Sequence, residues 1–249
     1  ARAEGVRGRD RLDQALVARA LVASRARAQA AIAAGLVTVD GVVADKPGQP
    51  VAGDAVLAAA EPWPWVSRAG VKLAAALDAF GVDPAGLSCL DVGASTGGFT
   101  DVLLARGAAH VTAVDVGHGQ LDPRLAADPR VRALEGFDAR SLTAADLPGP
   151  PDLIVCDASF ISLVKVLPAP LSLAAPAAIL IALVKPQFEA GRARIGRGGK
   201  VADEVAAQVA EETAAALDGL AGFAVRALID SPIRGGEGAR EFLLLARRT

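Results

Sequence analysis

The stretch LSCLDVGASTGGFTDVLL (residues 87–104) decides the fold. Leu87 to Val92 is a short apolar run bounded by turn residues, the signature of a buried strand. From Phe99 onward the apolar positions recur at helical spacing. Between them Gly93, Gly97 and Gly98 sit where a strand must hand over to a helix while leaving its backbone open to close approach. The spacing is G-x-x-x-G-G and departs from the G-x-G-x-x-G of a dinucleotide site. A strand, a glycine turn and a helix in that order are the first unit of a doubly wound α/β sheet.

The same alternation continues to the end of the chain. Strand-like runs follow at 110–115, 131–135, 152–157, 178–184, 223–229 and 241–246. The gaps between the first five strands are long enough for crossovers, which predicts a mainly parallel sheet covered on both faces. SPIRGGEGAR (231–240) between the last two suits an antiparallel hairpin. Before the first strand, Ser67 is placed to cap a helix running to about Phe80, with Gly81 as its stop. The predicted class is therefore a Rossmann-like doubly wound sheet, mainly parallel with an antiparallel last strand.

Residues 9–61 read as a separate small α+β unit. Arg11, Leu12, Leu16 and Leu21 fit one amphipathic helix. Ser24 looks like the cap of a second, carrying Arg25, Arg27 and Ile32 and stopped by Gly35. LVTVDGVVA (36–44) alternates around Asp40-Gly41, a strong hairpin signal, and Val51 to Leu57 supplies one more short strand. EPWPW (61–65) is a stiff linker, centred on 62–66, whose two tryptophans predict packing. The larger unit then spans 67–249.

Composition sets the limits. Of 249 residues, 52% are hydrophobic, ample for a core, and the net charge is only −2, which excludes a generally sticky polyanion binder. The charge is uneven: residues 1–35 hold seven arginines against three acidic residues. Arg192, Arg194, Arg197 and Lys200 form a second basic run in a glycine-rich stretch. Two basic patches on an acidic chain suggest an anionic partner gripped at defined places. Cys89 and Cys156 fall inside apolar runs without ligand spacing, which implies a reducing compartment, no disulfide scaffold and no metal site. The most apolar segment, Leu163–Val184, carries Lys165 and three prolines and reads as helix, turn and buried strand, so no membrane partner is expected. A cytoplasmic location follows.

Ligands of such sheets bind outside the carboxyl ends of the strands. Asp91 enters the glycine turn, whose residues Gly93, Ala94, Ser95, Thr96, Gly97 and Gly98 would wrap the ligand. Asp91 stands where an acid reaches the amino-acid end of S-adenosylmethionine. Asp115, ending the second strand in HVTAVDVG (110–117), can accept from both hydroxyls of an adenosyl ribose. Asp138 in FDAR (137–140) could accept from the adenine amino group. The ordered series favours an adenosyl cofactor over NAD.

The fourth strand ends in DLIVCDASFISL (152–163), with Asp157 just past it. Neither an Asn/Asp-Pro-Pro-aromatic motif nor a well-placed cysteine nucleophile is present, so amino-directed and carbon-directed methylation are disfavoured. The fifth strand ends in LVKPQFEAG (183–191) and delivers Lys185 beside Asp157. Lys72 comes from the preceding helix, and Glu241 begins the last strand. An amine at the end of an apolar strand loses solvation, which favours its neutral, basic form. Such a base suits a poor acid like a ribose 2′-hydroxyl. Asp157 and Glu241 would balance the two ammonium groups, with Glu189 as a rival carboxylate. His110 and His118 are too scattered to form a metal site.

On RLDQALV (11–17), SRARAQAAIAAGLVTVDG (24–41), WVSRAGVKL (65–73), DVGHGQL (115–121), DPRV (128–131), DASFISL (157–163), LVKPQFEAG and SPIRGGEGAREFLL (231–244), the chain resembles the TlyA family. Those are S-adenosylmethionine-dependent ribosomal RNA 2′-O-methyltransferases, some of them called hemolysins. The resemblance implies an FtsJ-type catalytic domain and, over 9–61, an S4-like RNA-binding domain whose helical face would present Arg11, Arg25 and Arg27. Arg192 and Arg194 would add RNA contacts. It implies the tetrad Lys72, Asp157, Lys185 and Glu241. The implied substrate is a cytidine ribose in 23S ribosomal RNA, and in some members also 16S. Three departures stand out: Trp63 where an arginine is usual, Asp138 for asparagine and His118 for tyrosine. The rival readings are a membrane-damaging hemolysin and a non-catalytic RNA-binding or ribosome-assembly factor.

Overall fold

The computed structural model describes residues 10–249. The chain divides into two compact units between Pro64 and Trp65.

In the smaller unit, β1 (Asp10–Arg11) leads into α1 (Leu12–Ala18) and α2 (Arg25–Ala33). Next come β2 (Val37–Val39), β3 (Val42–Val43), β4 (Pro50–Val51) and β5 (Leu57–Ala59). The order β3-β2-β5 makes a small antiparallel sheet, while β1 pairs with β4. Ser24 caps α2 by accepting from the Arg27 amide, and Gly35 turns left-handed at φ 69° just beyond it. Asp40 and Gly41 both have positive φ, 50° and 80°, the turn that matches the twist of a two-residue hairpin. Leu12, Leu16, Ile32, Val37 and Val51 close the core.

Two expectations need correction here. The strand predicted over Val51–Leu57 is two strand ends, because Ala52–Val56 turn away through Gly53 and Asp54. Helix α1 stops at Ala18, where Ala20 goes left-handed, so Leu21 lies beyond it.

The larger unit is the predicted doubly wound sheet. Its elements are α3 (Ala69–Phe80), β6 (Ser88–Val92), α4 (Gly98–Ala105), β7 (His110–Asp115), α5 (Pro123–Ala126), β8 (Val131–Glu135) and β9 (Leu153–Cys156). They continue with α6 (Leu163–Val166), α7 (Pro168–Ser172), β10 (Ile179–Val184), α8 (Pro186–Glu189), α9 (Asp203–Leu217), β11 (Phe223–Asp230) and β12 (Phe242–Arg248). The order is β11-β12-β10-β9-β6-β7-β8, with β12 antiparallel to both neighbours and the adjacent pairs from β10 to β8 parallel.

Alternation along the strands splits the core into two layers. Leu90, Ile154, Cys156 and Leu180 face α6, α7 and α9. Cys89, Leu153, Val155 and Ile181 face α3 and α4. Burial pushes both thiols up to about 12, so they are inert packing groups. The strand order reverses between β6 and β9, which opens the crevice where such folds bind ligands. Gly93 follows β6 and Asp157 follows β9, so both stand at that opening.

Helix α3 begins at Ala69, and the Ser67 hydroxyl accepts from the Ala69 amide one residue ahead of the helix boundary at Arg68. Trp65 packs on the α3–α4 layer, its ring filling the space that a Cβ on Gly70 would occupy. Trp63, in the smaller unit, lies beneath the Arg27 guanidinium at 5.6 Å.

Candidate active site

The glycine turn comes first, because its backbone fixes the rest. Gly93 has φ 81°, and a Cβ there would fall 2.9 Å from the Ala158 backbone. Only glycine lets the turn after β6 lie against the turn after β9 this closely. Asp115 anchors the loop on the other side: Oδ2 accepts from the Ser95 amide at 2.8 Å and Oδ1 from the Gly117 amide at 2.7 Å. Together they wall a cavity of about 590 Å³, completed by Val116, Phe137, Asp138 and Ile161.

Asp138 lines this cavity but is already engaged by the Arg140 guanidinium at 2.6 Å, which holds its carboxyl below the usual range. Asp91 and Gly97 stand behind the walls. Gly97 has φ 93°, and a Cβ there would run into the Leu125 and Leu121 side chains packed on it. Asp91 is fully buried; its Oδ2 accepts from the Thr100 hydroxyl at 2.7 Å, and its Oδ1 has no hydrogen-bond partner. Burial pushes its carboxyl up to about 7.

A second cavity of about 420 Å³ adjoins the first, and Gly93, Ser95, Asp157 and Ser159 line both. Lys72, Asp157, Lys185 and Glu241 all line it. They form two ion pairs. Lys72 Nζ donates to Glu241 Oε2 at 2.5 Å, with both side chains buried. Glu241 precedes β12 by one residue, and its carboxylate occupies the space a Cβ on Gly235 would need.

Lys185 caps the other side. Its Nζ donates to the Asp157 carbonyl at 3.1 Å and to Ser159 Oγ at 2.7 Å. Asp157 Oδ1 lies 2.6 Å away as an ion-pair partner, off the hydrogen-bonding direction. Ala94, Thr96, Gly98, Ser67 and Arg68 supply more of the same wall.

Glu189, the rival carboxylate, is spent elsewhere: it accepts from the Ser162 hydroxyl at 2.6 Å and the Leu163 amide at 2.8 Å, capping α6, and burial raises its carboxyl. Its signal was Ser162 at the head of an apolar helical run. Two cleft residues escaped sequence reasoning. Ser159 stands in the quoted motif, but nothing there marks its hydroxyl as Lys185's partner. Phe160 is 91% exposed at a left-handed φ of 65°, with its ring 5.0 Å from that of Phe188. An aromatic left in water at a cavity rim is a ligand-facing signal visible only in three dimensions.

Of the arginines counted in the smaller unit, Arg2, Arg7 and Arg9 lie outside the described residues, and the predicted RNA-binding ones are already engaged. Arg11 and Arg25 both bond the fully buried Asp13, and with Gln29 they hold its carboxyl far below the usual range. Arg27 is ion-paired with Glu61. In the larger unit Arg194 pairs with Glu212 at 2.6 Å, whereas Arg192 is exposed and has no ion-pair partner among the described residues. Among the described residues no cluster of three or more metal-ligating side chains occurs, and no helix is long and apolar enough to cross a membrane.

Known proteins resemble this chain in sequence and fold. Residues 65–248 match the FtsJ-like methyltransferase family and residues 10–57 the S4 domain. A Mycobacterium tuberculosis protein named 16S/23S rRNA (cytidine-2′-O)-methyltransferase TlyA is 51% identical over 78% of this chain and 74% of its own length. Hemolysin A of Brachyspira hyodysenteriae is 37% identical over 94% of this chain and 98% of its own. A solved structure of a hemolysin-named protein from Streptococcus thermophilus matches with a TM-score of 0.75 at 40% identity, covering 98% of this chain and 90% of that one. By sequence, by fold and by the two matched domains, the chain belongs to the TlyA family of FtsJ-like methyltransferases.

Proposed function

We propose that this protein methylates the ribose 2′-hydroxyl of a cytidine in ribosomal RNA, with 23S RNA as the substrate and 16S RNA as a second one. The observation that carries the reading is that two lysines and two carboxylates, drawn from α3 and the ends of β9, β10 and the loop before β12, line one cavity. The name of the Mycobacterium tuberculosis relative supplies the nucleotide.

The larger cavity suits S-adenosylmethionine. Gly93, where a Cβ would collide with the Ala158 backbone, leaves main-chain atoms open to a ligand. Asp115 retains lone pairs for ribose hydroxyls after accepting two amides. Val116, Phe137 and Ile161 offer apolar surface to a purine. Asp138 would meet the purine edge together with Arg140, and Asp91 would act from behind the turn by holding α4 through Thr100. The residues Gly93, Ala94, Ser95, Thr96 and Gly98 would border the amino-acid portion, where the two cavities join.

When bound, S-adenosylmethionine supplies an electrophilic methyl on a sulfonium. The chain's own task is to hold the ribose hydroxyl in line with that methyl and to take its proton. Lys185 Nζ accepts the proton from the hydroxyl. Asp157 stabilises the ammonium so formed, and the buried Lys72–Glu241 pair keeps the adjacent wall fixed and electrically balanced. Phe160, exposed beside the cavity, offers a face on which the target base stacks.

Residues 9–61 act as the S4-like RNA-binding domain, joined through 62–66 to a catalytic domain over 67–249. Arg11 and Arg25 hold its helices through Asp13 while presenting their outer edges to phosphate, and Arg27 does so from its place beside Glu61. Arg192 and Arg194 add contacts to the RNA. The enzyme works in the cytoplasm, on ribosomal subunits.

The test is transfer of tritium from labelled S-adenosylmethionine to purified ribosomal subunits, followed by mapping of the labelled nucleotide. Incorporation at a cytidine ribose, lost in Lys185→Ala and Asp157→Ala while RNA binding persists, supports the reading. Label on a base, or none with the wild-type protein, removes it.

A further inference from the structure

A base in this cleft needs a directed lone pair, and the surroundings of Lys185 show how direction could be imposed. The amine makes two true hydrogen bonds, to the Asp157 carbonyl at 3.1 Å and to Ser159 Oγ at 2.7 Å. With the Cε–Nζ bond, these define three of the four tetrahedral directions at nitrogen. The fourth direction has no hydrogen bond among the described residues; Asp157 Oδ1, 2.6 Å from the nitrogen, is an ion-pair partner only. That fourth direction is where a neutral amine carries its lone pair.

One of the two bonds is made by backbone and cannot be altered by substitution. The other depends entirely on the Ser159 side chain. Its backbone is held from both sides: Gly93 packs against Ala158 with no room for a Cβ, and Phe160 is locked at φ 65°. A non-glycine residue in that conformation persists only where its surroundings enforce it. Ser159 itself is exposed and borders both cavities, so its hydroxyl stands where the two ligands would meet. Having accepted from Lys185, its own proton has no partner among the described residues and is left to donate to a ribose oxygen.

We propose that Ser159 is a positioning residue: its hydroxyl fixes the Lys185 amine so that the free direction at nitrogen meets the target hydroxyl. The role rests on the methyltransferase reading above and adds a residue outside the Lys-Asp-Lys-Glu set. Without that hydroxyl, Lys185 is held by Asp157 alone, through its carbonyl and its carboxylate, and loses the bond that sets its direction from the other side.

The experiment compares wild type, Ser159→Ala and Ser159→Thr for methyl transfer to ribosomal subunits, with S-adenosylhomocysteine affinity measured by calorimetry on each full-length protein. The expected result is a kcat about tenfold lower in Ser159→Ala, with KM for RNA and ligand affinity within about twofold of wild type. Ser159→Thr, which keeps the hydroxyl, should recover most of the rate. Wild-type kcat in Ser159→Ala overturns the proposal, as does a loss confined to KM or to ligand affinity. A threonine variant as slow as alanine overturns it too. An inactive wild type would sink the methyltransferase reading instead, a distinguishable failure.

Discussion

Lys72 Nζ and Glu241 Oε2 meet at 2.5 Å although 169 positions separate them in the chain. Both side chains are almost wholly withdrawn from water. Burying two charges is costly, and the pair compensates only while both members are present. Glu241→Ala should therefore lower stability by about 3 kcal/mol or more, because it strands a buried ammonium. The double variant Lys72→Met/Glu241→Leu should unfold closer to wild type in urea yet fail to methylate RNA. Turnover in the double variant would show that the pair serves folding alone.

Gly235 is needed for space. Its φ of −70° suits any residue, yet a Cβ would sit 2.0 Å from Glu241 Oε1. Gly235→Ala should fold but displace the carboxylate and slow methyl transfer by about tenfold or more. Gly236→Ala is the control, since the nearest atom to its Cβ is a flexible arginine tip at 3.9 Å. Equal activity in the two variants would contradict the steric explanation.

The strands and the glycine turn were legible because their signals are local: apolar runs of strand length, and glycines where backbone must turn or be approached. The Lys185–Asp157 contact was legible for the same reason, since both residues end adjacent parallel strands. Asp91 lies behind the glycine turn and lines neither cavity, because alternation along β6 says which face it takes but not whether a cavity reaches that face. Among the described residues of the smaller unit, the arginine count did not show that Arg11 and Arg25 are tied to an acid of the same unit. Asp13 looks like a first-turn acid in sequence, and only the fold shows it buried beneath Arg11, Arg25 and Gln29. Ser159 and Phe160 owe their positions at the cleft to a turn pressed on Gly93, which no spacing rule encodes.

Asp91 gives the protein a pH signature. Its carboxyl is pushed up to about 7 by burial, from an ordinary value of 3.8. Between those values the folded protein keeps a proton that the unfolded chain has released, so stability falls as pH rises. The penalty is absent below the unfolded value and complete above about 7, reaching on the order of 4 kcal/mol. Asp91→Asn lacks this ionisation. Urea unfolding from pH 5 to 8 should show the variant gaining on wild type as pH rises, then levelling off. Parallel curves would mean that Asp91 ionises in the folded protein as it does in the unfolded chain.

Arg192 and Arg25 should respond differently to charge reversal, although both belong to the basic runs. Arg192 is exposed and has no ion-pair partner among the described residues, which leaves its guanidinium available for the phosphate contact proposed above. Arg192→Glu should leave thermal stability unchanged, weaken binding to ribosomal RNA, and reduce the slope of log affinity against log salt by about one. Arg25→Glu instead sets a second carboxylate beside the buried Asp13. Repulsion there should lower the melting temperature of the smaller unit before any effect on RNA is read. Anisotropy titrations across a salt series, paired with thermal unfolding, separate the two. An unchanged salt slope in Arg192→Glu would take that residue out of the RNA interface.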